Sequence, residues 1–221
     1  MQALIYENKE INNSKEGLIE YKNSWSNYYE EEIKYLKESE IIKLLDGITN
    51  EFHKMLFSFS FETGARISEV LNVRILDIDF YNKTVKLATL KRRNKNIVRM
   101  LTISDSLVNR ILLYEKLKCL ANTDYLFVKN SGNKPISIQA ANKALKKYII
   151  SILGIEYQDM AHLHTLRHSR AIQLLNSGVN LVQVKTILGH ANIMNTLVYL
   201  KYSNKDIQDS IRKSNIVMGI N

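Results

Sequence analysis

The chain has a single cysteine among its 221 residues, so Cys119 can close no internal disulfide and no cysteine pair is available for a thiolate zinc site. No unbroken run of about 18 apolar residues occurs, which excludes a membrane-spanning helix. The opening residues, 1–17, lack a basic region followed by an apolar core, so a secretory signal is not expected. Internal repeats and low-complexity tracts are also missing. These absences together predict a reduced, cytoplasmic protein with no membrane contact.

What is present is a core and an excess of positive charge. A hydrophobic content of 45 % is enough to fill a real core, and the length suits one good-sized domain, at about 150 residues, plus an appendage. The formal net charge is +9, unevenly spread. Residues 1–40 hold nine acids and five bases, whereas residues 41–221 hold 26 bases and 13 acids. A basic main domain suits a polyanionic partner, and on charge alone it suits a solvated basic surface equally well.

The first 24 or so residues are polar without periodicity and read as a flexible arm; aromatic residues then gather at Trp25, Tyr28, Tyr29 and Tyr35. Apolar spacing predicts helices from Ser39 to Ile48, Asn50 to Glu62 and Ile67 to Val73. Alternation at Leu76–Phe80 and Val85–Leu87, with Ile97–Leu101, predicts a three-stranded meander. Helical patterns resume at Ser104–Leu120 and at Ser137–Leu153, where Ser137 suits an N-cap, with a short extended piece at Tyr125–Val128 between them. Further helices are expected at Thr165–Asn176, Leu181–Leu188, Asn192–Leu200 and Asn204–Lys213. The fold class is mainly α with a small three-stranded antiparallel sheet.

Four local features carry chemistry: Thr63-Gly64-Ala65-Arg66 with Glu69, the basic loop Lys91-Arg92-Arg93-Asn94-Lys95, His164-Thr165-Leu166-Arg167-His168, and Leu188-Gly189-His190 with Tyr199 nine residues on. Each alone has an ordinary structural reading. His164 and His168 have the i,i+4 spacing of metal ligands, yet the zincin glutamate is missing and no carboxylate cluster lies nearby, so no metal is expected. Taken together, two arginines, two histidines, a lysine and a tyrosine suit metal-free phosphoryl transfer. Guanidinium forks hold non-bridging oxygens bidentately, a tyrosine hydroxyl is a nucleophile once its proton is taken, and a lysine can protonate the leaving alkoxide.

The segments T-G-A-R-I-S-E (63–69), H-T-L-R-H (164–168) and L-G-H-A-N-I-M-N-T-L-V-Y (188–199) make the chain resemble the tyrosine recombinases, or phage-integrase family, from about Tyr35 to Lys213. The resemblance implies that family's catalytic-domain fold and its roles: Arg66 and Arg167 as catalytic arginines, Glu69 as a bracing acid, and His164 assisting the nucleophile's proton. By the same resemblance His190 donates to the phosphate and Tyr199 is the nucleophile, with Tyr202 its only nearby competitor. His168 is read as supporting. The family lysine falls in the hairpin between the second and third strands, where Lys91 and Lys95 compete and Lys91, directly after the strand, is favoured. Arg92, Arg93 and Lys95 are expected to contact DNA.

The resemblance further implies a site-specific recombinase that forms a 3′-phosphotyrosyl link, consumes no cofactor, and works on double-stranded DNA as four protomers around two duplexes. Residues 1–34 are expected as an arm, 35–213 as the catalytic domain, and 203–221 as a C-terminal helix and tail exchanged between protomers. So short an arm predicts a form that is little more than a catalytic domain, without the usual separate clamping domain. The rival readings are a type IB topoisomerase-like nicking and closing enzyme, a non-catalytic DNA-binding regulator of the same fold and, third, a metal-dependent nuclease.

Overall fold

The computed structural model describes residues 32–89, 98–128 and 134–203. The arm before residue 32, the basic segment with Lys91, Arg92, Arg93 and Lys95, and the expected helix and tail from Asn204 lie outside the described residues. Residues 1–33 and 34–221 form separate units, and the second carries everything below.

Helix starts follow local capping chemistry. Asn50, Ser104, Ser137 and Asn180 each accept the backbone N–H three residues on, at 3.0, 3.2, 3.1 and 2.8 Å, satisfying one of the amides that a helix N-terminus leaves free. The described helices are α1 (Glu38–Gly47), α2 (Glu51–Thr63), α3 (Ile67–Leu71), α4 (Asp105–Lys118), α5 (Ile138–Ile152), α6 (Leu163–Asn176), α7 (Leu181–Leu188) and α8 (Met194–Leu197). Three 3₁₀ segments, Ile75–Asp77, Ile155–Met160 and Val198–Tyr202, complete the helical set.

Helix α2 lies at the centre of the core. Its Met55, Leu56, Phe57 and Phe59 are fully buried, and it packs on α4 and α6. Phe59 meets Phe127 edge-on at 5.3 Å between ring centroids, the geometry that aromatic quadrupoles favour. Burial of side chains this size contributes about 1.5–3 kcal/mol each, and the same core takes in Leu44 of α1, Ile149 of α5 and Leu166 of α6. Among the described residues no helix is long and apolar enough to cross a membrane.

The sheet is an antiparallel meander of β1 (Ile78–Asp79), β2 (Thr84–Ala88) and β3 (Val98–Thr102) in that order, with Leu87 opposite Arg99 and Ala88 opposite Val98. Val85 and Leu87 point inward, and so does Arg99, while Val98 and Met100 face outward. The first strand is shorter than alternation predicts. Asp77 accepts the Arg74 backbone N–H at 2.9 Å and draws Ile75–Asp77 into a 3₁₀ turn, leaving Leu76 exposed. The expected extended piece appears as isolated bridges, Arg74 with Tyr125 and Val128 with Pro135. The expected helix over 192–200 is a single α turn that tightens into the 3₁₀ segment carrying Tyr199.

Candidate active site

Two helix-ending glycines bring distant segments together. Gly64 ends α2 and Gly189 ends α7, both in the left-handed region at φ 57° and 67°. Their carbonyls face the site. The Gly64 carbonyl accepts Arg167 Nη1 at 2.7 Å, the Leu188 carbonyl accepts Arg167 Nη2 at 2.9 Å, and the Gly189 carbonyl accepts Arg66 Nη1 at 3.4 Å. Arg167, on α6, is thus fixed by two backbone oxygens and only 5 % exposed. Burial pulls its pKa down to about 10, with the nearby Arg66 charge acting in the same direction, so it stays cationic at neutral pH.

Arg66 stands at the N-terminus of α3 and remains 29 % exposed along its side chain. Its partner Glu69 is buried. One Glu69 oxygen accepts Arg66 Nη1 at 3.2 Å; the other accepts the Arg66 backbone N–H at 3.1 Å and Arg99 Nη2 at 2.6 Å. This buried carboxylate is thus satisfied by two arginines and holds the first of them in place.

The histidines surround Tyr199. His190 follows Gly189 directly, and its Nδ1 lies 2.9 Å from the fully buried Thr196 hydroxyl. The His190 ring is near-parallel to that of Tyr199, at 11° and 6.4 Å. Tyr199 is 2 % exposed, and its hydroxyl lies 2.8 Å from Nδ1 of His168, one helical turn beyond His164 on α6. His164 opens to solvent at the edge of the site, its ring 6.3 Å from that of His168. Tyr202 packs edge-on against Tyr35 at 5.5 Å, outside this cluster.

Burial sets the protonation states. It lowers the pKa of His168 to about 4, with the charges of His164 and Arg167 adding to it. Burial lowers His190 to about 3, assisted by Arg167 and Arg66. His164 is lowered by partial burial and by the same two arginines, an effect screened by its exposure. The Tyr199 hydroxyl is pushed up by burial, while Arg167 and Arg66 pull the other way, favouring the phenolate. Neutral imidazoles, fixed guanidiniums and a buried phenol make an arrangement suited to binding an anion.

Residues 34–206 match the Phage integrase family. The chain belongs to that family. It is 33 % identical over 181 residues to a tyrosine recombinase of Pseudothermotoga lettingae, covering 81 % of this chain and 60 % of that protein. It is 30 % identical over 186 residues to tyrosine recombinase XerA of Pyrococcus horikoshii, covering 83 % and 62 %. Transposase A from transposon Tn554 of Staphylococcus aureus is 28 % identical over 195 residues, covering 82 % and 52 %. The chain therefore spans between 52 and 62 % of the length of these relatives. In fold this phage-integrase member is similar to a XerA recombinase crystal structure, with a TM-score of 0.66 at 22 % identity over 85 % of this chain and 66 % of that one. It is also similar to the catalytic domain of bacteriophage HP1 integrase, with a TM-score of 0.58 at 21 % identity over 84 % and 98 %.

Of the residues singled out in the sequence, Arg66, Glu69, His164, Arg167, His168, His190 and Tyr199 converge here, whereas Lys91, Arg92, Arg93 and Lys95 lie outside the described residues. Sequence reasoning missed Arg99 and Thr196. Arg99 had a legible signal: with Leu101 facing the core, strand alternation turns Arg99 inward too. Thr196 carried none, because its tie to His190 depends on how α8 folds back.

Proposed function

We propose that the chain is a site-specific DNA strand transferase with Tyr199 as its nucleophile. The supporting observation is the Tyr199 hydroxyl, buried and 2.8 Å from a neutral His168 within the cluster of Arg66, Arg167 and His190. In the Nε2–H tautomer of His168, the hydroxyl donates to Nδ1, a geometry suited to removing its proton. As the phenolic oxygen bonds to phosphorus, the bond to the 5′ oxygen breaks, and the departing oxygen takes a proton from Lys91, with Lys95 as the alternative donor. The products are a 3′-phosphotyrosyl link and a 5′-hydroxyl. A 5′-hydroxyl from a partner strand reverses the chemistry, releasing Tyr199 and joining new ends.

Charge developing on the non-bridging oxygens is met by Arg66 and Arg167, whose guanidiniums are held before DNA arrives, and by Nε2 of His190, whose Nδ1 is tied to Thr196. Preorganised donors of this kind are worth about 3–4 kcal/mol each in the transition state. A bound phosphodiester anion also raises the pKa of the neighbouring imidazoles, improving His168 as proton acceptor. Site-specific exchange on this reading joins two duplexes held by four protomers, with the C-terminal tail linking neighbours. The Tn1549 transposon integrase, solved in complex with transposon right-end DNA, has a similar fold at a TM-score of 0.65 and 23 % identity, over 86 % of this chain and 68 % of that one.

The test is covalent capture. The full chain is incubated with sheared genomic DNA of its source organism and quenched in detergent, and the DNA bound to protein is sequenced. The expected result is a discrete set of 3′ ends linked to Tyr199 and lost in Tyr199→Phe. Absence of any adduct, or one that survives that substitution, overturns the reading. Relaxation of supercoiled DNA without exchange of sites would instead point to the topoisomerase-like reading.

A further inference from the structure

Arg99 is an arginine where a strand of this sheet would ordinarily carry an aliphatic residue. It faces inward on β3, opposite Leu87 and only 6 % exposed. All three of its donor nitrogens are used, on α3, on α7 and on the residue that follows β2. Nη2 donates to Glu69 at 2.6 Å, Nε to the Ile187 carbonyl at 2.9 Å, and Nη1 to the Thr89 hydroxyl at 3.0 Å. A Cβ on Gly189 would come within 2.7 Å of Arg99 Nη1, so the guanidinium lies directly against the turn that presents His190. Its contacts are with the supports of Arg66 and His190.

We infer that Arg99 is a positioning residue that sets Arg66 and the Gly189–His190 turn in register with Arg167. Glu69 carries the link to Arg66, because one carboxylate oxygen takes Arg99 and the other takes the Arg66 guanidinium. The Ile187 carbonyl carries the link to the turn, near the end of α7 and two residues before Gly189, whose own carbonyl also receives Arg66. Thr89 ties the same guanidinium to the end of β2, next to the segment that holds Lys91. A lysine has a single point of attachment and spans only part of this set; the fork spans all of it. This inference rests on the strand-transferase reading of the site.

The test uses the duplex recovered by covalent capture and the full chain in two forms, Arg99→Lys and the neutral pair Arg99→Met with Glu69→Gln. The pair removes both buried charges, so neither is left stranded. Thermal melting, DNA affinity and the rate of adduct formation at saturating DNA are measured for each. The expected result for either folded variant is a cleavage rate lowered by about 10²-fold, as a small misplacement of a catalytic group produces, with affinity changed less than about threefold. In an Arg66→Ala background, the further loss from Arg99→Lys should shrink to less than about tenfold, since the two residues act on one path. An unchanged rate, a rate that falls only in step with affinity, or an equal loss in both backgrounds overturns the inference. So does failure of both variants to fold, which would make Arg99 a framework residue only. Failure of the strand-transferase reading shows separately, as a wild-type chain that forms no adduct at Tyr199.

Discussion

The Tyr199 hydroxyl and His168 Nδ1 lie 2.8 Å apart in a site where both groups are largely hidden from water. The pair joins the 3₁₀ segment to α6 across 31 residues of sequence. It also distributes tasks along α6. His168 holds the Tyr199 hydroxyl, Arg167 lies against two carbonyls, and His164 stands at the solvent edge.

Tyr199→Phe is expected to abolish the covalent adduct and leave DNA affinity within a few-fold, since only the attacking oxygen is lost. Removing the hydroxyl leaves His168 without a partner in a buried place, so stability should fall by about 1–3 kcal/mol. Tyr202→Phe should keep the adduct. Gel capture, DNA affinity and melting of the two variants side by side check these four statements.

His168→Phe is expected to slow cleavage by about 10²-fold or more while DNA binding stays near normal, as for loss of a general base. It also bears on acid stability. His168 and His190 titrate at about 4 and about 3 in the fold, against about 6.5 in an unfolded chain. Depressed values mean that the unfolded chain takes up protons first. The stability of the neutral pair is therefore complete above pH 6.5 and falls as the pH drops towards 4 and 3. Between pH 7.5 and 5, denaturant unfolding should show a loss of about 4 kcal/mol from the two together, and about half of that in His168→Phe. An equal loss in that variant would contradict the assignment.

Arg167→Ala is expected to cost more in cleavage rate than in affinity, by about 3–4 kcal/mol of transition-state stabilisation. It should also destabilise the fold, because the Gly64 and Leu188 carbonyls lose their donors. Arg92→Ala and Arg93→Ala should instead weaken binding and flatten its salt dependence, as phosphate contacts do. Rates at saturating DNA, set beside affinities over a salt series, separate the two patterns.

Gly189→Ala is expected to destabilise by about 1–2 kcal/mol, since φ is +67° and the new methyl group would come within 2.7 Å of Arg99 Nη1. The cleavage rate should fall further than the melting temperature suggests, because His190 is displaced with its turn. Gly178→Ala serves as the comparison. Its φ is also positive, at +89°, but nothing lies within 4 Å of the added carbon, so its cost should be conformational alone.

Much of this molecule was legible before its structure. Capping residues such as Ser137 and apolar spacing located the helices, because both act over a single turn. Arg66, Arg167, His190 and Tyr199 could be singled out as candidates because metal-free phosphoryl transfer would use those residue types, and Arg66 and His190 closely follow Gly64 and Gly189. The strand at Leu76 was misread for an equally local reason: an aspartate one residue on accepts a backbone amide and tightens the turn.

Tertiary structure alone decided which groups meet. The Arg99–Glu69 pair spans 30 residues, the Arg66–Gly189 contact 123 and the Arg167–Gly64 contact 103. No periodicity reports such distances, because they are set by how α2, α6, α7 and β3 pack around one core. The same packing chose His168 over His164 as partner of Tyr199. One helical turn separates the two rings, and only the deeper one, shielded from water, lies where the folded-back 3₁₀ segment delivers the hydroxyl.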